Sequence, residues 1–213
     1  TQWSSSAASD VYKRQCLSIS SNFSIKNINL VDLKSSEYLY IEGYLVTSDV
    51  AMEAVHQSIE FSSKNDVKIA LTFSDLAMVK YFKDNFKSIL NNKVDLLFCN
   101  EDEAKTFSGS DTLEDSIKYL GKLSSTLVVT LGKNGSLIYH NGEKITIDPY
   151  PTKAVDTVGA GDTYAGAFLY GITNGLSLKK SGELASLLSS KVVSKIGPRL
   201  EKDDILSNKN FFK

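Results

Sequence analysis

From residue 38 onward the chain switches repeatedly between two hydrophobic periods. YLYIEGYL (38–45) is aromatic and β-branched, which predicts a strand. Thr47, Ser48 and Asp49 are good helix-start residues, and Met52, Val55 and Ile59 then recur at helical spacing. VKIALTF (67–73) is a continuous apolar run of the kind found in a strand buried on both faces. Leu76, Val79, Phe82, Phe86 and Ile89 form one apolar helical stripe, and VDLLFC (94–99) is the next strand, followed by a helix opening at Glu101. A further stripe, Leu113, Ile117, Leu120 and Leu123, lies behind a cap at Asp111 or Thr112, and TLVVTL (126–131) is again a buried strand. Strands alternating with amphipathic helices predict an α/β fold: a doubly wound, mostly parallel sheet with helices on both faces.

After residue 135 the rhythm changes. SLIYH (136–140), Asn141-Gly142 and EKITID (143–148) predict a hairpin, because Asn-Gly is the preferred two-residue turn with positive φ. Pro149 and Pro151 keep the chain extended into Val155. One helix is expected from the glycine turn near 160 to Ile172, and a second from Leu178 to Lys195. No internal repeat or low-complexity linker follows residue 16. The first fifteen residues, TQWSSSAASDVYKRQ, have no apolar period and no hydrophobic leader segment, and they contain the single Trp. They are expected to be a non-native or scar segment outside the fold, which leaves 16–213 as the domain.

Composition narrows the partners. A net charge of −1 generates no global field for nucleic acid or an anionic membrane, so neither is expected as a partner. Cys16 and Cys99 form no CxxC pair, and His56 and His140 stand alone, which argues against a zinc site or a disulfide framework. That cysteine usage fits a reducing compartment, with the cytoplasm as default. The longest apolar runs, such as AGAFLYGI (165–172), are too short to span a bilayer.

The candidate chemistry lies in DTVGAGDTYAG (156–166). A dinucleotide fingerprint fails here because Tyr164 sits where the third small residue belongs. A P-loop fails because Ala167-Phe168 replaces Lys-Ser/Thr. What remains is a helix start at which Gly159, Ala160 and Gly161 expose backbone N–H groups, an anion site. Asp162 in the first turn is favourable for the helix alone, so the eleven residues allow a structural reading as well. Asn100 and Glu103 have the spacing of a capping box. Gly132 and Gly135 suit turns into the hairpin, and Asp156 suits a helix-entry turn.

Taken together, these segments resemble the ribokinase/PfkB-like carbohydrate and nucleoside kinases. DTVGAGD matches that family's D-T-x-G-A-G-D signature, differing from the commonest form only at Val158; NEDEA (100–104) resembles its N-x-x-E element, TLGKNG (130–135) its nucleotide loop, and KIGPRL (195–200) its C-terminal junction. The resemblance implies a ribokinase-like fold and an ATP- and Mg2+-dependent kinase transferring the γ-phosphate to a CH2OH group. Under it, Asp162 is the catalytic base and Gly159, Ala160 and Gly161 form the phosphate anion hole. Asn100, Thr130, Gly132, Gly135 and Ser186 bind nucleotide, Glu103 approaches Mg2+ through water, and Asp156 holds a monovalent cation such as K+ through its backbone. YIEGYL (40–45), NEDEA and GPRL are most similar to the adenosine-kinase-like branch, so adenosine is the first expected acceptor, with ribose and other sugars next. In the family, the first part of the sheet and a small β lid precede these elements, so the chain is expected to be the C-terminal part of such a kinase and poorly active alone. Two other classes share the layout: a dinucleotide-dependent oxidoreductase, opposed by Tyr164, and a non-catalytic nucleotide-binding module, opposed by the intact Asp162.

Overall fold

The computed structural model describes residues 22–206; the expectation for residues 1–15 lies outside them. Six strands form one sheet in which they follow one another in chain order: β1 (Tyr38–Ile41), β2 (Lys68–Thr72), β3 (Val94–Asn100), β4 (Ser124–Thr130), β5 (Ser136–His140) and β6 (Glu143–Ile147). The fold is α/β, with a mostly parallel sheet and flanking helices, as the alternating periods predict. The hairpin between β5 and β6 turns at Asn141 (φ 51°) and Gly142 (φ 84°), the two positive values that a type I′ turn requires.

The chain forms two compact units. The first has described residues 22–129 and 139–144. Here β1 and β2 pair in parallel with Tyr38 opposite Lys68 and Ile41 opposite Leu71, and β2 and β3 pair in parallel with Ala70 opposite Leu96. The apolar runs are buried as expected: Ile69, Ala70, Leu71, Leu96, Leu97 and Phe98 all lie in the core. Around them pack α1 (Leu30–Lys34), α2 (Asp49–Lys64), α3 (Leu76–Tyr81), α4 (Lys83–Leu90), α5 (Glu101–Ser108) and α6 (Leu113–Leu120). Ser48 caps α2 by accepting the Ala51 N–H at 3.1 Å, and Thr112, one of the two expected residues, caps α6. Phe73, Phe86 and Phe107 meet at ring-centroid distances of 5.0 and 4.8 Å from Phe73, a favourable aromatic cluster at the centre of this unit.

Two elements differ from the sequence reading. The strand expected over 38–45 ends at Ile41 and passes into a 3-10 turn over Gly43–Thr47. The Gly43 N–H donates to Ser74 Oγ at 2.8 Å, and a Cβ on Gly43 would stand 2.5 Å from the Phe73 carbonyl oxygen. That close backbone approach diverts the chain. The single stripe from Leu76 to Ile89 becomes two helices, because Phe82 leaves the helical basin (φ −124°, ψ 29°), ending α3 and opening α4. The stripe survives the break: Val79, Phe86 and Ile89 are all buried.

The second unit has described residues 130–138 and 145–206. Two long helices dominate it, α7 (Ala160–Thr173) and α8 (Leu178–Val193), with a short α9 (Lys202–Leu206) that the apolar pattern does not announce. They approach closely where Gly171 faces Ser181; a Cβ there would meet Ser181 Oγ at 2.5 Å. No helix among the described residues is long and apolar enough to cross a membrane.

Candidate functional site

In the second unit, the opening of α7 is built by three constraints. Gly159 is its N-cap with φ 80°, a left-handed conformation that side chains resist. A Cβ on Gly159 would also stand 2.4 Å from the Pro198 carbonyl oxygen. Asp156 fixes both sides of this contact: Oδ1 accepts the Val158 N–H at 3.1 Å and Oδ2 accepts the Gly197 N–H at 3.3 Å. The Thr163 N–H makes the first helical bond, to the Gly159 carbonyl at 2.9 Å, and the Ala160 N–H turns to the Thr157 carbonyl at 3.3 Å. The amides of Gly161 and Asp162 are therefore the first-turn donors without an intrahelical acceptor. Gly161 and Asp162 are exposed, and nothing lies within 4 Å of a Cβ built on Gly161.

A pocket of about 420 Å³ gathers most of the residues singled out for nucleotide. Thr130, Gly132, Gly135, Ala160, Gly161 and Ser186 all line it. Gly135 is fixed by a positive φ of 86° and by the Ile147 carbonyl oxygen, which a Cβ would approach to 2.1 Å. Three hydroxyl hydrogen bonds brace the walls. Ser136 Oγ and Tyr164 Oη share a buried bond of 2.6 Å, Ser186 Oγ donates to the Asp148 carbonyl at 3.0 Å, and Ser189 Oγ donates to the Ala160 carbonyl at 3.1 Å. Ser186 thus borders the pocket, but its hydroxyl serves the wall. Asp162 lines a neighbouring, largely apolar pocket of about 680 Å³ with Gly166, Tyr170, Leu188 and Arg199.

Asn100 and Glu103 belong to the first unit, at the carboxyl end of β3. They form the reciprocal capping box that their spacing predicts: Asn100 Oδ1 accepts the Glu103 N–H at 2.8 Å, and Glu103 Oε2 accepts the Asn100 N–H at 2.9 Å. Glu103 is only 5% exposed. Burial pushes its carboxyl up to about 7; the Asn100 N–H pulls the other way, while the charges of Asp75 and Asp102 add to the rise. Among the described residues no three His, Cys, Asp or Glu side chains cluster as a metal cage. A lone carboxylate such as that of Glu103 is chemically suited to a magnesium ion that keeps most of its waters.

The second unit thus brings together Thr130, Gly132, Gly135, Ala160, Gly161 and Ser186, and sets Asp162 on the adjoining pocket. Sequence reasoning missed Lys133, Tyr150, Thr157 and Ser189, which also line the nucleotide-sized pocket, and Arg199 in its neighbour. Lys133 lay inside TLGKNG, and Ser189 is one helical turn from Ser186, so both were within reach of the motif and the period. Thr157 lay inside DTVGAGD and Arg199 inside KIGPRL, so the motifs reached them too, whereas Tyr150 lies in an irregular segment that carries no local signal.

Known proteins resemble this chain in sequence and in fold. The model of the pfkB family of carbohydrate kinases matches residues 16–204. A ribokinase from Lactococcus lactis subsp. lactis is 37% identical over 138 residues, covering 58% of this chain and 45% of that protein. An ATP-dependent 6-phosphofructokinase from Thermoanaerobacterium thermosaccharolyticum is 34% identical over 185 residues, covering 84% of this chain and 57% of that protein. Among solved structures, adenosine kinase from Sinorhizobium meliloti superposes with a TM-score of 0.84 at 26% identity, covering 88% of this chain and 58% of that one. The chain spans about half the length of the curated relatives it matches. It belongs to the pfkB family of carbohydrate kinases.

Proposed function

We propose that this chain carries the nucleotide-binding and phosphoryl-transfer residues of an ATP-dependent kinase acting on a CH2OH group of a sugar or nucleoside. The observation that carries the reading is the opening of α7, which faces two pockets. Its Gly161 borders the nucleotide-sized one and its Asp162 borders the neighbour. Phosphoryl transfer asks mainly for in-line positioning and for neutralisation of the charge on the transferring group. The first-turn amides beside Gly159, Ala160 and Gly161 would meet that charge as it develops. Asp162 would accept the proton of the attacking hydroxyl. Thr130, Gly132 and Gly135 would hold the nucleotide, with Ser186 bordering it. Asn100 and Glu103, at the carboxyl end of β3, would approach hydrated Mg2+, which would supply positive charge to offset that of the phosphates. Asp156 would hold a monovalent cation such as K+ through its backbone carbonyl, while its carboxylate oxygens accept the Val158 and Gly197 amides.

The acceptor is a small molecule, in a cytoplasmic setting. YIEGYL, NEDEA, GPRL and the likeness to adenosine kinase support a nucleoside, while the ribokinase and phosphofructokinase relatives support a sugar. On this reading the part of those relatives that this chain does not span would supply some of their acceptor contacts, and the chain alone would bind ATP–Mg2+ weakly and turn over slowly. The test is calorimetric titration with ATP–Mg2+, followed by ADP release with adenosine, ribose and fructose 6-phosphate. Asp162→Asn should lower kcat by about 10²–10⁴-fold while ATP affinity and melting temperature hold. Failure to bind ATP would sink the reading; a full rate in Asp162→Asn would remove the base from it.

A further inference from the structure

The hydroxyl pair Ser136–Tyr164 is the one brace of the nucleotide-sized pocket made between two side chains rather than between a side chain and the backbone. Ser136 directly follows Gly135, the last residue of the loop that lines one wall. Tyr164 lies two residues beyond Asp162 on α7 and itself lines the same pocket. Their oxygens are 2.6 Å apart; Ser136 is fully buried and Tyr164 is 5% exposed. Burial lifts the Tyr164 phenol to about 12 against the pull of the Ser136 bond, so it stays protonated throughout the working range of pH. A neutral tyrosine here has no acid–base task. It is also the side chain that breaks the dinucleotide fingerprint, where a small residue would let the helix sit tight on the loop.

We infer that Tyr164, through its bond to Ser136, is a positioning residue: it sets the separation between the nucleotide loop and the first turn of α7, and hence the width of the ATP pocket. The inference rests on the kinase reading above. Two rigid features make the gap sensitive to this bond. On the loop side, Gly135 abuts the Ile147 carbonyl with no room for a Cβ, its carbonyl accepts the Leu131 N–H at 2.8 Å and its N–H donates to the Gly132 carbonyl at 3.2 Å. On the helix side, Ala160 is held by Ser189 and the N-cap Gly159 abuts Pro198. Each wall is fixed to its own neighbours, and the buried pair couples the two. A pocket held at the right width in advance spares the nucleotide the ordering cost of closing it.

A double-mutant cycle tests this. ATP–Mg2+ affinity is measured by calorimetry, and stability by urea unfolding, for the wild type, Tyr164→Phe, Ser136→Ala and the double variant. Either single substitution leaves one buried hydroxyl without its partner and should lower stability, whereas removing both relieves that penalty, so stability should recover in the double variant. The coupling between the walls is absent in all three. ATP affinity should therefore fall in all three, roughly tenfold, and fail to recover in the double variant. Affinity unchanged in Tyr164→Phe, or affinity that recovers together with stability, would show the pair to be ordinary core packing and overturn the inference while leaving the kinase reading intact. Absence of ATP binding by the wild-type chain would instead remove the kinase reading and the inference with it.

Discussion

Glu103 shows what a local motif can and cannot reveal about a side chain. Its reciprocal cap with Asn100 was legible from the N-x-x-E spacing. Its burial was not, because it depends on which elements the fold stacks over α5. The consequence is a pH dependence of definite sign. The folded-state value of about 7 lies above the ordinary 4.5, so Glu103 favours the fold most below pH 4.5 and loses that contribution as pH rises through 7. A rise of this size corresponds to about 3 kcal/mol. Glu103→Gln keeps an oxygen to accept the Asn100 N–H but carries no charge to desolvate. In urea unfolding with chelator present, the stability of the variant relative to wild type should rise by about that amount between pH 4.5 and 8. A difference flat with pH would show that the carboxylate is solvated in the folded protein. Cys99, buried next to this group, has its thiol pushed well above its usual range by burial first and by the Glu103 charge second. Iodoacetamide at pH 8 should therefore leave Cys99 unlabelled until the protein unfolds, as read by peptide mass spectrometry.

At the scale of elements, the glycine turn separates residues needed for folding from residues needed for something else. Gly159 has a left-handed φ and no room for a Cβ beside Pro198. Gly159→Ala should destabilise the protein by about 2–4 kcal/mol through backbone strain and overpacking. Gly161 is different in kind: it lies inside α7, has no positive φ, and faces open space. Gly161→Ala should leave stability unchanged or raise it by up to about 1 kcal/mol, as alanine does in helix interiors. If the same substitution weakens ATP binding, the glycine serves ligand approach; if it raises stability and leaves binding intact, the anion-hole reading loses its main physical support. The sequence showed that the turn was rich in glycine but not which glycine carried which burden, since that distinction is set by Pro198, 39 positions downstream of Gly159. Elements read from strong periodicity survived well, as with β2, β3, β4 and the Asn-Gly hairpin. Those redirected by distant backbone did not: β1 stops where Gly43 meets Phe73, and one expected helix breaks at Phe82.

For the whole molecule, alternating periods predicted a mostly parallel sheet but could not supply its strand order, because pairing is a choice among non-local contacts that no local pattern encodes. The observed order simply follows the chain from β1 to β6. What the motifs did foretell is a clustering: Thr130, Gly132, Gly135, Ala160, Gly161 and Ser186 come from three separate segments and line one pocket within one of the two compact units. This assignment makes a prediction about where nucleotide is felt. A ligand bound to the folded state stabilises it by about 2.7 kcal/mol at a hundredfold excess over Kd, and amides that open locally beneath the ligand gain protection in proportion. Hydrogen exchange with and without saturating ATP–Mg2+ should therefore slow at 130–136, at 157–164 and along α8 around Ser186 and Ser189. The amides of α2, which lines neither pocket, should change only as far as they open through global unfolding. Protection concentrated instead on α2 and β1, with the glycine turn unaffected, would move the nucleotide out of this pocket. It would also leave the proposed base Asp162 with no phosphoryl group beside the hydroxyl it is to deprotonate.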